Sequence, residues 1–571
     1  MNDETPRKLE ARRGFSVFYK GKTLLSMIDP IAQSERVIAA SHNVPRTLYF
    51  CPSPLFGYGL KTFLNTISDD SILLCVEADE ELMQFTQQEI CPSLLHHPQF
   101  RLISTQDPQA LCTYIKTEWG ARAFRRIEVI RISGGWQLHP EIYQSLEKAI
   151  QRDIAIDWGN AITLMNLGRR YALNFIRNLP LLASSYSAES INFGDKPLLV
   201  LGAGPSLDAF LDALASRVPE ALEGTSKDST QGDFDRLNHR NFRIICVDTA
   251  LSALKARNIK PDLIVALEAQ HWNLRDFIGM HDWQLPIAMD LSALPATNEQ
   301  LGGQTFLFTT PWTELSIFQR LKASGLSPLS MMPLGSVGLT AVLLALKLSS
   351  GPIITAGLDF SFHMDSYHAK ETPSWKDFRR RQTRLSGIIP AATVFRKAVF
   401  KTTAKNDYAV YSDPGLKNYR DLFEQEFAKG NFFPKDRLRD INSSGLPLGI
   451  ETIKPSDAIQ LLTKGSKPAE VQFSSTMIEN QSEKVRQFIF DEHQSLGELR
   501  SILIGEKNPA PGELEELLHI CDYLWAHFPD YAGRSNSAPP IDDLSFLKRV
   551  RTEIDPFLKI FEKAQNYRLL H

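Results

Sequence analysis

An apolar run that ends in a Gly-x-Gly turn most strongly constrains what this chain can fold into. Residues 198–201 are apolar, and the turn that follows them reads Gly202-Ala203-Gly204-Pro205-Ser206. Short apolar runs bounded by glycine are typical of buried strands, and proline suits the first turn of a helix. The N-terminus of a helix carries unpaired N–H groups and partial positive charge, so it can bind an anion such as a nucleotide phosphate. A tight strand-to-helix turn without a ligand has the same pattern.

Length and composition indicate a globular protein of several domains. The 571 residues exceed what one hydrophobic core usually holds, and 43% of them are hydrophobic and 23% charged. A net charge of -3 gives no support for general nucleic-acid binding. The N-terminus is polar, no apolar run is long enough to span a bilayer, and the six cysteines form no Cys-x-x-Cys pair. We therefore expect a cytoplasmic protein without a membrane span.

The first of three predicted domains, residues 1–190, is expected to be Rossmann-like. Apolar runs at 47–50 and 72–77 flank the glycines Gly57 and Gly59, and the second run ends in Glu77, about twenty residues beyond them. Further strands are predicted at 100–103 and 127–132, and a helical stretch at 140–182. Because only one Gly-x-Gly is present, a purely structural turn is favoured over a working cofactor site.

The second predicted domain, residues 191–453, alternates short apolar runs with helical patterns. Strands are predicted at 198–201, 243–247, 263–267, 286–289, 305–308 and 353–356, and helices at 249–257 and 339–348. This alternation predicts an α/β fold with a doubly wound, mostly parallel sheet. The polar segment 223–233 predicts a surface insertion. Residues 454–571 form the third predicted domain, a helical one with amphipathic segments at 478–488 and 545–563 and a loop at 534–540.

Polar residues follow several strands of the central domain. Asp248 and Thr249 come after one predicted strand, Glu268 and Gln270 after the next, and Asp359 after the last. Carboxyl ends of parallel strands meet at one edge of a sheet, where ligands bind. We therefore expect these residues to share a cleft with the glycine turn, although any one of them could instead cap a helix or lie in a solvated loop.

A second candidate anion site precedes the apolar helix at 339–348. Gly335 and Ser336 lie just before this helix, so its N-terminus could hold a further negative group such as a sugar carboxylate. The alternative is that Ser336 serves only as the N-cap of the helix.

The loop after Asp359 carries two histidines. His368 is a candidate general base, because histidine titrates near neutral pH. His363, Asp365 and His368 together could instead hold a metal ion, although their spacing follows no firm ligand rule. The remaining alternative is an exposed loop histidine.

In order and combination these segments resemble the motility-accessory-factor (Maf) flagellin glycosyltransferases. Their shared domain is similar to archaeal 6-hydroxymethylpterin diphosphokinase and to bacterial sialyltransferases. The resemblance rests on Gly202-Ala203-Gly204-Pro205-Ser206-Leu207, Asp248-Thr249-Ala250, Pro261-Asp262, Gly335-Ser336-Val337, Gly357-Leu358-Asp359-Phe360 and His368. It implies that the glycine turn and Asp248 hold a cytidine nucleotide, that Ser336 holds the carboxylate of a nine-carbon acidic sugar, and that His368 takes the acceptor proton.

Two positions depart from the sialyltransferase pattern. Ala203 stands where asparagine is usual, and Ser361 stands where a tyrosine follows Asp-Phe. Tyr367 is a candidate replacement for that tyrosine.

Three functions remain open from the sequence. The leading one is transfer of a nonulosonic acid, of pseudaminic or legionaminic type, from a CMP-linked donor to flagellin Ser or Thr hydroxyls. It implies no metal, since N–H and hydroxyl donors can stabilise the leaving phosphate. The second is pyrophosphoryl transfer to a pterin alcohol with Mg²⁺ held by Asp248 and Glu268. The third is non-catalytic flagellin binding on a retained fold.

Overall fold

The chain divides into two compact units. The computed structural model describes residues 5–120, 122–221, 242–385, 387, 391–428, 435–463, 472–473, 481–529, 531 and 539–566. The first unit comprises Met1–Asn166 and Trp525–Ala538, and the second comprises Leu167–Leu524 and Pro539–His571. The predicted insertion at 223–233 and residues 534–538 of the predicted C-terminal loop lie outside the described residues.

The compact units do not coincide with the boundaries predicted at residues 190 and 453. The chain passes from the first unit to the second between Asn166 and Leu167, within one long helix, Pro140–Asn178. Most residues after 453 group with the central sheet instead of forming a unit of their own. One of the contacts that tie them to the central unit is a partly buried ion pair, in which Arg320 donates to both carboxylate oxygens of Glu492, at 2.6 and 2.8 Å, across 172 residues of chain.

The first unit contains a small parallel sheet and an N-terminal antiparallel sheet of three strands. Its strands are β1 (Arg7–Glu10), β2 (Phe15–Tyr19), β3 (Lys22–Thr23), β4 (Thr47–Pro52), β5 (Ile72–Glu77), β6 (Phe100–Ser104) and β7 (Arg126–Val129). The helices that begin in it are α1 (Pro30–Ala39), α2 (Leu60–Leu64), α3 (Glu80–Glu89), α4 (Pro92–Leu95), α5 (Pro108–Trp119) and α6 (Pro140–Asn178). The parallel order β6-β5-β4-β7 confirms a Rossmann-like arrangement, although β7 ends three residues earlier than predicted.

The N-terminal antiparallel sheet supplies part of the core that surrounds the glycine turn of the small parallel sheet. Leu55 and Phe56 of the turn pack in one buried cluster with Val17 and Tyr19 of β2. Glu77, the acid at the end of β5, also has a partner within this unit, because the hydroxyl of Tyr143 donates to it at 2.8 Å. These contacts favour the structural interpretation of the turn.

The second unit is built on a parallel sheet of ten strands. The strands of this unit are β8 (Tyr186–Ser187), β9 (Ile191–Asn192), β10 (Leu198–Leu201), β11 (Arg243–Val247), β12 (Leu263–Ala266), β13 (Leu285–Asp290), β14 (Gly302–Thr309), β15 (Leu329–Ser330), β16 (Ile353–Ala356), β17 (Phe400–Thr403), β18 (Ala409–Ser412), β19 (Leu438–Ile441), β20 (Glu451–Ile453) and β21 (Gln472–Phe473). The order of the large sheet is β15-β14-β13-β12-β11-β10-β16-β19-β20, and β8 pairs with β14. All its pairs are parallel, which confirms the predicted α/β class.

Helices of the second unit connect these strands and continue beyond the sheet. They are α7 (Leu207–Ala221), α8 (Leu251–Lys255), α9 (Leu274–Phe277), α10 (Ser316–Ala323), α11 (Val337–Leu348), α12 (Pro373–Arg381), α13 (Ala391–Val394), α14 (Pro414–Phe423), α15 (Pro455–Thr463), α16 (Gln481–Leu503), α17 (Glu513–Ile520) and α18 (Leu544–Gln565). No helix in the described part of the chain has both the length and the apolar composition that a membrane crossing requires.

The strand order reverses direction between β10 and β16. From β10 the chain builds the sheet outward through β11 to β15, and then returns to place β16 on the other side of β10. Parallel sheets bind ligands in a crevice at such a reversal, outside the carboxyl ends of the strands. This crevice lies beside the glycine turn.

Helix α11 points its N-terminus toward that crevice. It is apolar around its whole circumference and lies against β10, β11, β12 and β16, so it is a buried helix. These contacts fix the axis of α11 against the sheet, and Ser336 is the N-cap residue of this helix.

Candidate functional site

Two adjoining cavities occupy the crevice at the carboxyl edge of the large sheet. The smaller cavity has a volume of about 160 Å³ and is lined mainly by the glycine turn, the N-terminus of α11 and the loop after β16. The larger cavity has a volume of about 440 Å³ and is lined mainly by the segments after β11 and β12. Thr249, Ser336, Val337 and His368 line both cavities, so the two form one continuous site.

The glycine turn is held against the end of β16 by backbone contacts. The N–H of Gly202 donates to Ala356 and the N–H of Gly204 donates to Gly357, each at 2.8 Å. A Cβ on Gly202 would meet the carbonyl oxygen of Gly357, so only glycine permits this approach. The absence of side chains leaves backbone exposed to the smaller cavity, where a phosphate oxygen could come close.

Ser206 anchors the turn instead of facing the cavities. Its backbone N–H donates to Oδ2 of Asp359 at 2.7 Å, and its hydroxyl donates to Oδ1 of the same carboxylate. Both residues are buried, and neither Ser206 nor Pro205 lines a cavity, whereas Asp359 lines the smaller one. The expected role of the Ser206 hydroxyl as a donor to a ligand does not fit this geometry, because the hydroxyl is already bonded.

Ser336 presents its hydroxyl at the start of α11. It occupies the N-cap position, but its side chain makes no capping hydrogen bond within the described part of the chain. Gly335 before it has a φ of +67°, which turns the chain into the helix. The hydroxyl and the first N–H groups of a twelve-residue helix therefore meet at the junction of the two cavities. This arrangement favours anion binding over simple capping.

Asp248 is a buried carboxyl at the base of the larger cavity. It accepts hydrogen bonds from the N–H of Thr249 at 2.7 Å and from the side-chain amide of Asn273 at 3.0 Å. Burial, together with the nearby charge of Asp276, raises the pKa of Asp248 to about 7. A carboxyl in this state changes protonation near neutral pH, and its bonds hold α9 against the end of β11.

Two more acids line the larger cavity. Asp276 is 6% exposed, and its Oδ1 has no hydrogen-bond partner among the described residues. Burial raises its pKa to about 6, although the adjacent guanidinium of Arg275 opposes the rise. Glu268 is exposed and accepts the N–H of Gln270 at 2.9 Å. The cavity wall therefore offers carboxyl oxygens to hydroxyl groups of a ligand.

His368 stands where the two cavities meet. Its Nδ1 lies 2.7 Å from the hydroxyl of Ser374, and its ring packs edge-on against Tyr367. The ring keeps a partly exposed surface, yet burial lowers the pKa of His368 to about 4, and the charge of Arg275 lowers it further. The imidazole is therefore neutral at pH 7, and Nε2 is free to accept a proton when Nδ1 donates to Ser374.

The other polar residues of the His368 loop do not converge on it. His363 bonds through Nε2 to the hydroxyl of Ser444 at 2.9 Å, and Asp365 is exposed. No trio of His, Cys, Asp or Glu in the described chain is arranged to hold an ion. The alternative of a metal cluster at His363, Asp365 and His368 is thus contradicted by the geometry.

Most of the sequence-predicted residues are brought together here. The smaller cavity is lined by Gly202, Ala203, Gly204, Asp359 and Tyr367, the larger by Asp248, Glu268, Gln270 and Gly335, and both by Thr249, Ser336 and His368. Their binding roles stay predictions, and Pro205 and Ser206 lie behind the lining.

Sequence reasoning missed several residues of the larger cavity. Trp272, Arg275 and Asp276 follow Gln270 closely, so extending the strand-end argument a few residues along the chain would have found them. Tyr171 comes from α6, far from any motif, and carried no signal. The position of Ser374 beside His368 likewise depends on how α12 begins.

Comparisons with known proteins agree with this geometry. The family described as 6-hydroxymethylpterin diphosphokinase MptE-like matches residues 233–365, which include Asp248, Glu268, Ser336 and Asp359. The solved structure of a Maf glycosyltransferase from Magnetospirillum magneticum AMB-1 covers 99% of this chain and 92% of its own, with a TM-score of 0.51 and 13% identity. The chain therefore has a Maf-like fold that includes an MptE-like domain.

A full-length relative identifies the family. A protein of Treponema pallidum (strain Nichols), described only as uncharacterized, is 30% identical over 583 residues, which are 98% of this chain and 95% of that protein. The chain belongs to the same family as this Treponema pallidum protein.

Proposed function

We propose that this protein is an inverting glycosyltransferase. It moves a nonulosonic acid of pseudaminic or legionaminic type from a CMP-linked donor to Ser or Thr hydroxyls of flagellin. The observation that carries the proposal is the junction of the two cavities, where the hydroxyl of Ser336, the N-terminus of α11 and the neutral ring of His368 line the same space. The Magnetospirillum magneticum protein that shares this fold is described as a glycosyltransferase, which supports the reaction class.

The reaction is a single displacement at the anomeric carbon of the donor sugar. The acceptor oxygen forms a bond to that carbon while the bond from the carbon to the phosphate oxygen of CMP breaks, through an oxocarbenium-like centre. The electron pair of the broken bond leaves with CMP, and the acceptor proton passes to Nε2 of His368. The hydroxyl of Ser336 and the first N–H groups of α11 stabilise the departing phosphate.

His368 gains basicity when the donor binds. With a pKa of about 4 the free imidazole is neutral but a weak base. A CMP-linked acidic sugar brings negative charge into both cavities, and negative charge beside an imidazole raises its pKa. Substrate binding therefore moves His368 toward the pKa that suits a general base near neutral pH.

The remaining parts of the proposal come from the resemblance to the Maf family. We propose flagellin as the acceptor, the cytoplasm as the compartment and no metal in the transfer step. The exposed surface of His368 leaves room for an acceptor hydroxyl to approach the junction.

A pyrophosphokinase acting on a pterin alcohol is the second candidate. The MptE-like match across 233–365 favours it. That reaction needs Mg²⁺ to neutralise the polyphosphate charge, with Asp248 and Glu268 as ligands. The fit is poor at Asp248, because Thr249 and Asn273 already donate to its two oxygens.

The test compares two histidines of the same loop. Purified full-length protein is incubated with CMP-linked pseudaminic or legionaminic acid and flagellin, and the intact mass of flagellin is measured. We expect His368→Asn to lower the rate by about 10²- to 10⁴-fold, since a positioned base contributes that much. His363→Asn is the matched control, because His363 bonds to Ser444 and lines neither cavity.

Other outcomes decide against the proposal. An unchanged rate in His368→Asn removes the assigned base. Release of AMP from ATP with a pterin alcohol and Mg²⁺, abolished by EDTA, supports the kinase. Flagellin that binds but never gains mass with any CMP-linked sugar supports the third candidate, a non-catalytic flagellin-binding protein.

A further inference from the structure

The lining of the two cavities is unbalanced in charge. Four carboxyl groups face them: Asp248, Glu268, Asp276 and Asp359. Among the described lining residues, Arg275 is the only Lys or Arg. A CMP-linked nonulosonic acid carries a phosphate and a sugar carboxylate, so two anions must be accommodated in a largely acidic site. Each needs its own source of positive potential.

The two sources of positive potential differ in position. The N-terminus of α11 lines the smaller cavity beside the glycine turn, and its unpaired N–H groups suit a phosphate. Arg275 lines only the larger cavity, together with Glu268 and Asp276. That cavity has nearly three times the volume and carries carboxyl oxygens suited to sugar hydroxyls.

Arg275 is free to take a ligand. Its side chain is exposed and forms no salt bridge with any residue in the described parts of the chain. The backbone of Arg275 is well anchored on both sides. Two residues before it, the side chain of Asn273 donates to Asp248, and the two residues after it, Asp276 and Phe277, are buried. A guanidinium on a fixed backbone can pair with a carboxylate through two parallel hydrogen bonds.

We propose that Arg275 recognises the carboxylate of the donor sugar and so makes the site specific for acidic sugars. This inference rests on the proposed function and adds to it, because the sequence assigns the carboxylate to Ser336 alone. Arg275 and Ser336 both lie on the wall of the cavity that would hold this carboxylate. The same cavity contains His368, and the carboxylate lies on the anomeric carbon of such sugars. Pairing with Arg275 therefore holds the reacting carbon near the base.

The test separates the sugar carboxylate from the phosphate. Binding of two kinds of probe to the full-length protein is measured by isothermal titration calorimetry: CMP, which lacks the carboxylate, and the CMP-linked forms of N-acetylneuraminic, pseudaminic and legionaminic acid. We expect Arg275→Gln to weaken binding of the CMP-linked sugars by about 10- to 100-fold, as loss of a charge-assisted pair does, and that of CMP by less than about threefold. Arg275→Lys is expected to recover part of the loss, since it keeps the charge but not the two-pronged geometry.

The control variant changes an exposed arginine outside the site. Arg36→Gln removes an exposed arginine of α1 that lines neither cavity, and it should leave all affinities unchanged. An equal loss for CMP and for the sugars would make Arg275 a phosphate ligand and overturn the inference, as would no loss for either. Wild-type protein that binds CMP and the sugars equally well overturns the carboxylate site but leaves the transferase proposal standing. Wild-type protein that binds none of the probes overturns both.

Discussion

Replacing Asp359 by asparagine tests whether this carboxylate holds the glycine turn in place. Asp359 is 3% exposed and accepts two hydrogen bonds from Ser206, one from the backbone N–H at 2.7 Å and one from the hydroxyl. Asparagine has nearly the same shape but carries no charge and only one acceptor oxygen. If that oxygen accepts the backbone N–H, the amide nitrogen faces the Ser206 hydroxyl, which must then accept instead of donate. Both hydrogen bonds therefore become bonds between neutral groups.

The expected cost follows from these two bonds. A hydrogen bond to a charged group contributes about 1.5–3 kcal/mol and one between neutral groups about 0.5–1.5 kcal/mol, so each of the two bonds loses about 1 kcal/mol. We therefore expect Asp359→Asn to lower the stability of the second unit by about 2 kcal/mol. That unit has about 390 residues, which at about 2.1 cal/mol/K per residue gives an unfolding entropy of about 0.8 kcal/mol/K. The unfolding midpoint should fall by about 2–3 °C.

The assay is thermal unfolding of matched variants at one scan rate. Asp365→Asn is the control, because Asp365 is exposed in the same loop. In a Ser206→Ala background the hydroxyl is already gone and only the bond from the backbone N–H is weakened, so Asp359→Asn should cost about 1 kcal/mol less than in wild type. A midpoint for Asp359→Asn within 1 °C of the Asp365→Asn value, or full additivity with Ser206→Ala, would refute this account of the turn.

Two further perturbations address the same site. The pKa of Asp248 is about 7 in the folded protein and about 3.9 in an unfolded chain. Between these pH values the folded state keeps a proton that the unfolded state releases. The free energy of unfolding therefore falls as pH rises from about 4 to about 7. Asp248→Asn removes this loss. The difference in unfolding midpoint, variant minus wild type, should therefore be about 3–4 °C larger at pH 8 than at pH 5. An equal difference at both pH values contradicts the assigned pKa. Gly202→Ala drives a Cβ into the Gly357 carbonyl and to 2.6 Å from Leu358, which should cost at least about 1–3 kcal/mol and weaken CMP binding. Gly497→Ala in α16, whose Cβ meets nothing within 4 Å, should instead stabilise by up to about 1 kcal/mol; similar midpoints for the two alanine variants would show that the turn is not tight.

The strands of the central sheet were well predicted from local pattern. Residues 198–201, 243–247 and 353–356 form strands with the predicted bounds. Each is a short, mainly apolar run, which is the pattern of a buried strand. The predicted strands at 286–289 and 305–308 are longer in the structure, since pairing with neighbouring strands extends them. The helix predicted at 249–257 is shorter, α8, because a tight 3-10 turn at Asp248–Ala250 precedes it.

The two serines show where local pattern stops being informative. Each lies where a helix begins, and each was a candidate donor to an anion. The hydroxyl of Ser206 bonds to Asp359, which is 153 residues away along the chain, whereas that of Ser336 makes no capping bond among the described residues. No feature within a few residues of either serine distinguishes these outcomes, because the partner of Ser206 comes from another strand.

The amino-acid order alone determined which segments are strands, which turns need glycine and which polar residues follow a strand, since these properties depend on neighbours a few positions apart. Only the tertiary structure decided that β16 returns to lie beside β10, that Arg275 and Tyr171 reach the larger cavity, and that burial lowers the pKa of His368 and raises that of Asp248. Strand order, cavity shape and burial arise from contacts between residues that are distant in the chain, so no local pattern encodes them.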